Sequence, residues 1–276
     1  MVAARIGETL YAKTDDGVEL AYRIVGDGAV DLLWSFNQLG DVETIWEYAP
    51  IRGFLEELAT TSRLIVHDRR GMGRSSGERG DLDMEVADLL TLLDAVGSER
   101  PYLVGVLTGG AAYAAFAAAH PGRAAGVVWY GAFAQYLKTP EYPWGSTADE
   151  LEEYSRRLES GWGTEPFAER FIGDEPAIAG DVEAARFFAH WMRRTGTAEA
   201  VAAADRAWGH VDLHPVLRSV RTPTLIITRE GDDPEAAYVA SLIPDARFVR
   251  LKSDSFMPFF DSGPLIAAMR EFIAPS

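Results

Sequence analysis

The sequence contains no cysteine. Disulfides, thiolate nucleophiles and cysteine-ligated metal sites are therefore excluded. Positive charge is also scarce, because 26 Lys and Arg stand against 42 Asp and Glu, which gives a formal net charge of −16. Such a surface repels nucleic acids and anionic membranes, so we expect neither as a partner. No apolar run approaches the length of a membrane span and the N-terminal stretch has no apolar signal-like segment, so we expect a cytoplasmic protein.

What the chain does contain is an alternation of apolar strands and amphipathic helices. With 276 residues, 47% of them hydrophobic, it suits one α/β domain with a sizeable core. Apolar–polar alternation on either side of Asp15-Asp16-Gly17 predicts a hairpin of residues 9–14 and 18–25. Further strands, most of them nearly continuous apolar runs, are predicted at residues 30–35, 64–67, 102–104, 126–130, 224–228 and 247–251. Helices are predicted at residues 53–60, 82–96, 110–119, 235–243 and 265–273.

The strand pattern stops between residues 133 and 211. Helical periodicity takes its place and predicts three helices. The first covers residues 151–158, the second opens at the N-cap Asp181 and ends before Gly196, and the third follows Thr197 and closes at Gly209. A block of helices inside a strand–helix alternation is best explained as an inserted lid. We therefore predict a lid of residues 133–211 and a core formed by residues 1–132 and 212–276.

A strand-to-helix turn marks the candidate site. The strand ends in Gly105-Val106-Leu107-Thr108-Gly109, and a helix of small residues follows. This spacing is that of a nucleophile elbow, G-x-S-x-G, in which a strained turn presents its central side chain to a pocket. Here the central residue is Leu107, which cannot attack a carbonyl. The sequence therefore predicts where the pocket lies and predicts that ordinary serine-hydrolase chemistry is absent from it.

Four segments together give the chain a resemblance to a known family. They are the loop 68–75 (Asp-Arg-Arg-Gly-Met-Gly-Arg-Ser), the turn 105–110, the strand from Pro223 to Gly231-Asp232, and Pro258-Phe259-Phe260. Over nearly its full length the chain resembles the α/β-hydrolase fold, and within it the esterase-like proteins that also occur fused to adenylate cyclases and regulators. The resemblance implies a mostly parallel eight-stranded sheet, helices on both faces, an inserted helical lid, and ligands at the carboxyl ends of the strands.

In that family, Ser, Asp and His form the catalytic triad in this chain order. The resemblance carries these positions onto Leu107, Asp232 and Phe256, or onto Ser255 instead of Phe256 when the last loop is shifted by one residue. Two of the three groups are then missing, and Leu107 and Phe256 are both apolar. Matched apolar replacements indicate a pocket rebuilt for an apolar ligand.

The resemblance also implies an oxyanion hole, formed by the backbone N–H of Thr108 and a second N–H near Phe36 or Asn37. Both donors are backbone N–H groups, so they need no particular side chain and can remain when the serine is lost. Thr108 is not expected as a replacement nucleophile, because the turn directs its side chain away from the tip. The amides of Asn37 and Gln38 either hydrogen-bond a substrate carbonyl or hydroxyl or hold their own loop.

Three side chains are candidate catalytic groups, namely Asp232, Asn37 and His190. Asp232 is either a turn residue or a carboxylate freed to act as a base. His190, on the second predicted lid helix, is either a base that reaches the pocket or a packed or solvated lid residue. The predicted substrate-binding residues are Phe36, Gln38, Leu107, Thr108, Tyr130, Phe133, Trp144, Trp191, Phe256 and Met257. We expect neither a metal site nor a cofactor.

Three hypotheses about function follow from these residues. The first is a non-hydrolytic enzyme of secondary metabolism that cyclises, isomerises or eliminates from a mostly apolar small molecule by orientation and water exclusion. The second is a pseudoenzyme that binds or senses such a molecule. The third is a hydrolase with displaced catalytic residues such as Asp232, Asp254 or His190. We expect a small apolar molecule as the partner and leave a homodimer open.

Overall fold

The computed structural model describes residues 6–231 and 233–273, without the side chain of residue 233. In this part of the chain the strands are β1 (Leu10–Lys13), β2 (Glu19–Val25), β3 (Val30–Ser35), β4 (Ser62–His67), β5 (Tyr102–Val106), β6 (Gly126–Tyr130), β7 (Thr224–Arg229) and β8 (Arg247–Leu251). They form one sheet in the order β1-β2-β4-β3-β5-β6-β7-β8. β1 and β2 pair in antiparallel fashion, and β3 to β8 run parallel. The predicted eight-stranded, mostly parallel sheet is confirmed.

Helices connect the parallel strands. They are α1 (Ala49–Ala59), α2 (Leu82–Ala95), α3 (Thr108–Ala119), α4 (Ala148–Gly161), α5 (Glu165–Phe171), α6 (Val182–Thr195), α7 (Ala198–Gly209), α8 (His214–Ser219), α9 (Asp233–Leu242) and α10 (Gly263–Ile273), with a 3-10 turn at Thr44–Trp46. None of the helices in the described ranges is both long enough and apolar enough to cross a membrane.

Neighbouring residues of the central strand β3 belong to opposite cores. Leu32 and Trp34 pack with Leu55 of α1 on one face of the sheet. Leu33 packs with Leu93 of α2 on the other face. Because successive side chains of a strand point to opposite faces, a strand covered on both faces is apolar at every position. This explains the continuous apolar runs in the sequence and places helices on both sides of the sheet.

Five helices, α4 to α8, lie between β6 and β7, and the first four of them lie in the segment where the sequence predicts a lid. The predicted N-cap of α6 is confirmed, because the Asp181 carboxylate accepts the N–H groups of Glu183 at 2.9 Å and Ala184 at 3.1 Å. At α4, Thr147 and Glu150 form a reciprocal capping box. The division of the chain at residues 132/133 and 211/212 stays a prediction.

The structure differs from the prediction where proline lies in a first helical turn. Helix α1 begins at Ala49 rather than at residue 53, and Pro50 lies in its first turn. Helices α5 and α8 were not expected, and their first turns contain Pro166 and Pro215. Proline is tolerated there because its missing N–H would have no acceptor within the helix. Proline is the second residue of all three helices, and α5 and α8, with seven and six residues, are too short for periodicity alone to reveal.

Helix α6 fastens the helical segment to the loop after β3. The indole N–H of Trp191 donates to the Gly40 carbonyl at 3.2 Å. The Thr195 hydroxyl donates to the same carbonyl at 2.8 Å and accepts the Gly40 N–H at 3.0 Å. Arg194 Nε lies 3.2 Å from Asp41 Oδ2, and Asp41 is fully buried. These contacts hold the helices over the carboxyl edge of the sheet.

Candidate functional site

A cavity of about 720 Å³ separates the carboxyl edge of the sheet from helices α4 to α7. Its floor is formed by the ends of β5, β6 and β7 and by the loop after β8, and its roof comes from the helices. The volume lies within the roughly 300–1,000 Å³ of small-molecule sites. Aromatic side chains are prominent in the wall: Phe36, Phe133, Tyr136, Trp144, Tyr154, Trp162, Phe171, Phe188, Trp191, Phe256 and Phe259.

The turn between β5 and α3 has the strained conformation predicted from its glycine spacing. Leu107 has φ 48° and ψ −116°, and such a backbone costs a non-glycine residue roughly 1–3 kcal/mol. Two hydrogen bonds hold it, from the Leu107 N–H to the Tyr130 carbonyl at 3.0 Å and from Trp129 Nε1 to the Leu107 carbonyl at 2.9 Å. The Leu107 side chain is 37% exposed and lines the cavity. The tip therefore presents hydrocarbon where the fold places a nucleophile.

Two glycines of the turn are required by close packing. A Cβ on Gly105 would lie 2.4 Å from the nitrogen of Gly110, and a Cβ on Gly110 would lie 2.0 Å from Cδ1 of Trp129. Both distances are far inside van der Waals contact, so only glycine allows β5 and α3 to approach this closely. The turn has kept the packing of a nucleophile elbow although its central residue is leucine.

The N–H that the resemblance assigns to an oxyanion already has a partner. Asn37 Oδ1 accepts from the Thr108 backbone N–H at 3.3 Å and from the Thr108 hydroxyl at 2.8 Å. Arg69 supports the pair by donating to the backbone carbonyl of Asn37 at 2.7 Å and to the Thr108 hydroxyl at 3.1 Å. Thr108 is fully buried and does not line the cavity. The Asn37 side-chain oxygen therefore holds the elbow together, although Asn37 itself borders the cavity.

The loop after β8 brings Phe256 to the cavity wall, at the position where the resemblance implies a histidine. A buried carboxylate from the segment between α5 and α6 anchors this loop. Glu175, 0% exposed, accepts the Ser255 hydroxyl at 2.8 Å and the N–H groups of Phe256 at 3.1 Å and Met257 at 3.2 Å. The Tyr130 hydroxyl donates to the Ser255 carbonyl at 2.9 Å. Tyr130 therefore supports the loop and does not line the cavity.

None of the five histidines, all of which the structure describes, lines the cavity. His67 Nε2 lies 2.9 Å from the Tyr113 hydroxyl, and burial, with the nearby charge of Arg69, lowers the pKa of His67 to about 3. His190 is 42% exposed and its Nε2 lies 3.5 Å from Glu47. The structure therefore does not bring the predicted base His190 to the wall, because its side chain projects toward solvent from α6.

The structure also brings a carboxylate to the cavity that sequence reasoning missed. Asp205 of α7 is 5% exposed, accepts a hydrogen bond from Gln38 Nε2 at 3.0 Å and lines the cavity. A signal for it exists, since Val201, Asp205 and Trp208 share one helical face and are all buried. Glu175 has no such signal, because it lies in a short Asp-Glu-Pro segment that is typical of an exposed turn.

The predicted site residues that line the cavity are Phe36, Asn37, Gln38, Leu107, Phe133, Trp144, Trp191, Phe256 and Met257. Thr108, Tyr130 and His190 do not line it. Asp232 lies outside the described residues. The structure adds three lining residues to this set, namely Asp205, Tyr136 and Tyr154. It also adds Glu175, which anchors the loop after β8. The sequence thus located the floor, the aromatic wall and the amides of Asn37 and Gln38, whereas the buried carboxylate Asp205 was found only in the tertiary structure.

The strand order, the strained elbow and the helix-covered cavity define an α/β-hydrolase fold. The family model described as the alpha/beta hydrolase family matches residues 37–268. The chain belongs to this family, and the resemblance stated from the sequence is confirmed. Its placement in the esterase-like branch found fused to adenylate cyclases stays a prediction.

Similar proteins carry the names of hydrolases, esterases and peroxidases. A non-heme haloperoxidase of Rhodococcus erythropolis is 27% identical over 243 residues, which cover 84% of each chain. A bifunctional esterase/perhydrolase of Acinetobacter calcoaceticus is 25% identical over 235 residues, covering 80% of this chain and 82% of the relative. The solved structure of an esterase from Exiguobacterium antarcticum has a TM-score of 0.81 at 17% identity, covering 97% of this chain and all of its own. At this identity the structural likeness shows the fold alone.

Proposed function

We propose that this protein is a non-hydrolytic enzyme that binds a mostly apolar small molecule in the cavity and catalyses a cofactor-free cyclisation, isomerisation or elimination. The proposal rests on Leu107, which occupies the strained tip of the elbow and points into the cavity. A family member that acts by acyl transfer needs a nucleophile at this position. Because a leucine occupies this position at φ 48°, the elbow forms a wall of the binding site.

The surroundings of Leu107 argue against covalent attack in two further ways. Phe256 borders the cavity where the resemblance implies the base, and no histidine among the described residues reaches the wall. The Thr108 N–H donates to Asn37 Oδ1 at 3.3 Å, so it is not available to stabilise a developing oxyanion. Nucleophile, base and oxyanion donor are the three parts that serine-hydrolase chemistry needs. Each is replaced or internally occupied here.

The cavity suits catalysis by orientation. Aromatic rings from the core and the helical segment face one another, as in the edge-to-face pair of Phe36 and Trp191 with ring centroids 5.3 Å apart. Such walls bind flat apolar molecules in a limited set of orientations. Fixing the conformation of a flexible substrate and excluding water lowers the barrier of cyclisation or isomerisation without a covalent intermediate.

Binding of a neutral fluorescent probe, N-phenylnaphthylamine, tests the apolar cavity. We expect saturable binding that Leu107→Asp weakens by about tenfold or more, because a carboxylate on the floor is desolvated by the ligand. Leu10→Asp is the matched control, since Leu10 is an exposed leucine of similar exposure, 45%, that does not line the cavity. Equal binding to all three proteins would show that the probe does not occupy this cavity.

The reaction is tested with a panel of apolar ketones, polyenes, polyphenols and amines followed by mass spectrometry. We expect a product of unchanged mass, or one that has lost a water molecule, from the wild-type protein and not from Leu107→Asp. Binding without conversion of any compound would favour a pseudoenzyme and contradict the proposed catalysis.

A hydrolase with displaced catalytic residues is the second candidate, and the names of the relatives favour it. Ser146 borders the cavity and would be its nucleophile, with a carboxylate in place of histidine as the base. Saturable turnover of p-nitrophenyl butyrate that is lost in Ser146→Ala would establish this candidate and overturn the first. We expect no turnover above the background of the buffer.

A further inference from the structure

Asp205 is a buried carboxylate in the wall of the cavity. It lies on the inward face of α7 and is 5% exposed. Its Oδ1 accepts from Gln38 Nε2 at 3.0 Å, and its Oδ2 accepts from the Ser155 hydroxyl at 2.7 Å. A carboxylate has about four lone-pair sites, so two short hydrogen bonds leave acceptor capacity on the cavity side.

No Lys or Arg among the described residues forms an ion pair with Asp205, although the charge of Arg206 acts on it from a distance. Arg206, its neighbour in the chain, turns away and pairs with Glu152 at 3.0 Å and with Glu159 at 2.6 Å on the outer surface of α4. The two partners of Asp205 are neutral groups. Burying a carboxylate without an ion-pair partner is costly, and burial raises the pKa of Asp205 against the effects of these two hydrogen bonds and of the more distant Arg206 charge. A cation supplied from the cavity would complete the site.

Two tyrosine hydroxyls lie in the field of this carboxylate. Burial and then the charge of Asp205 raise the pKa of Tyr136, and the same two causes raise the pKa of Tyr154 to about 12. Both residues line the cavity, and neither hydroxyl makes a hydrogen bond within the part of the chain that the structure describes. Each can donate to or accept from a polar group of a ligand.

The other charged residues around the cavity also favour a cationic ligand. Half-buried Glu235 lines the interior together with Asp205, whereas Glu150 lies at the exposed edge, where its carboxylate caps α4. Arg157 is the cation found among the described lining residues. The Arg157 guanidinium lies 5.7 Å from the centroid of the Tyr154 ring, and its side chain is exposed. An anionic ligand would therefore meet carboxylates in the interior, whereas a cationic one would meet carboxylates and aromatic faces.

We infer that the ligand carries a protonated amine and that Asp205 binds it. The aromatic wall holds the apolar body of the molecule, and the ammonium group donates to Asp205, with Tyr136 and Tyr154 as neighbouring acceptors. Aromatic faces add cation–π attraction for the same charge. This inference rests on the proposed function, since it names the class of molecule that the same cavity takes, an apolar amine.

Three probes that share a naphthylethyl body and differ in the charge of the polar head group test the inference. They are naphthylethylamine, which is cationic at neutral pH, naphthylethanol, which is neutral, and naphthylpropionate, which is anionic. By isothermal titration calorimetry at pH 7 we expect the amine to bind about tenfold more tightly than the alcohol and the acid to bind more weakly still. Asp205→Asn should lower the affinity for the amine to that for the alcohol and leave the alcohol unchanged.

The matched control is Glu153→Gln, which removes one carboxylate from an exposed position of α4 that does not border the cavity. It changes the net charge by the same amount, and we expect it to keep the preference for the amine. An equal loss in both variants would assign the effect to net charge and overturn the inference.

The outcomes separate this inference from the function on which it rests. Failure of all three probes to bind would contradict the apolar cavity itself. Binding of the alcohol as tightly as the amine, or an amine preference that survives in Asp205→Asn, would overturn the role of Asp205 and leave the cavity in place. The selectivity of the wild-type protein decides the matter even when the variant fails to fold.

Discussion

The side-chain oxygen of Asn37 accepts the backbone N–H of Thr108 at 3.3 Å and the Thr108 hydroxyl at 2.8 Å. An N–H that hydrolases of this fold aim at a developing oxyanion is thus engaged within the protein. Arg69 holds the arrangement, since its guanidinium donates both to the Asn37 carbonyl and to the Thr108 hydroxyl. The elbow has kept its shape, while its central side chain and one of its charge-stabilising donors are no longer available for acyl transfer.

Rebuilding the triad tests this relationship. Leu107→Ser combined with Phe256→His should yield weak, saturable turnover of p-nitrophenyl butyrate. Adding Asn37→Ala should raise kcat by about tenfold, because one oxyanion donor is commonly worth ~100-fold and a freed N–H recovers part of it. Steady-state kinetics of the double and triple variants make the comparison.

The control for the rebuilt triad is Asp232→Ala in the same background. We expect it to abolish the acquired turnover, because the introduced histidine would lose the group that orients it. Acquired activity that survives Asp232→Ala would contradict the assignment of Asp232 as the acid. Activity that Asn37→Ala leaves unaltered would contradict the role of the Thr108 N–H.

Relief of the strained tip should stabilise the protein. Leu107→Gly removes the cost of a positive φ, and we expect the free energy of unfolding to rise by about 1 kcal/mol. Leu107→Ala keeps Cβ and therefore the strain, so it should give no such gain. Urea unfolding followed by circular dichroism measures both. A glycine variant that is no more stable than the alanine variant would contradict the account of strain at φ 48°.

The anchoring of the last loop by Glu175 predicts a stability loss. Glu175→Gln keeps one acceptor oxygen but removes the charge that strengthens three hydrogen bonds, from Ser255, Phe256 and Met257. We expect a loss of about 1–3 kcal/mol in the free energy of unfolding. Faster amide hydrogen exchange confined to residues 255–257 would accompany it.

Glu169→Gln is the control for this loss, because Glu169 is exposed on the neighbouring helix α5. It should stay within about 0.5 kcal/mol of the wild-type protein. Unchanged exchange at residues 255–257 in Glu175→Gln would show that the loop is held by other contacts.

Burial of His67 predicts acid sensitivity. Burial lowers its pKa to about 3, whereas an unfolded histidine titrates near 6.5. Between these values the unfolded chain binds a proton that the folded protein does not, so stability falls as the pH falls through this window. From pH 7 to pH 4.5 the loss from this group is about 2 to 3 kcal/mol.

The comparison of wild type with His67→Gln measures this contribution. Glutamine does not titrate and keeps a polar atom for the Tyr113 hydroxyl, which lies 2.9 Å from His67 Nε2. We expect the variant to lose less stability than the wild type between the two pH values, by about 2 to 3 kcal/mol. Parallel pH profiles would contradict a buried, neutral His67.

Local signals in the sequence predicted much of the fold. The glycine spacing around Leu107 predicted a strained turn that the structure confirms, with φ 48° at the central residue. N-cap residues predicted the start of α6 after Asp181 and of α7 after Thr197. These features depend on residues within one turn of each other, so the sequence displays them directly. The short proline-initiated helices were missed because six or seven residues carry too little periodicity.

The sequence by itself determined the alternation of strands and helices, the elbow and the apolar residue at its tip. The tertiary structure decided what the polar groups of the cavity do. Asn37 and Thr108 are 71 residues apart in the chain, and Gln38 and Asp205 are 167 apart. A buried polar group takes its partner from whatever segment the fold packs against it, so its role follows from packing and not from spacing along the chain.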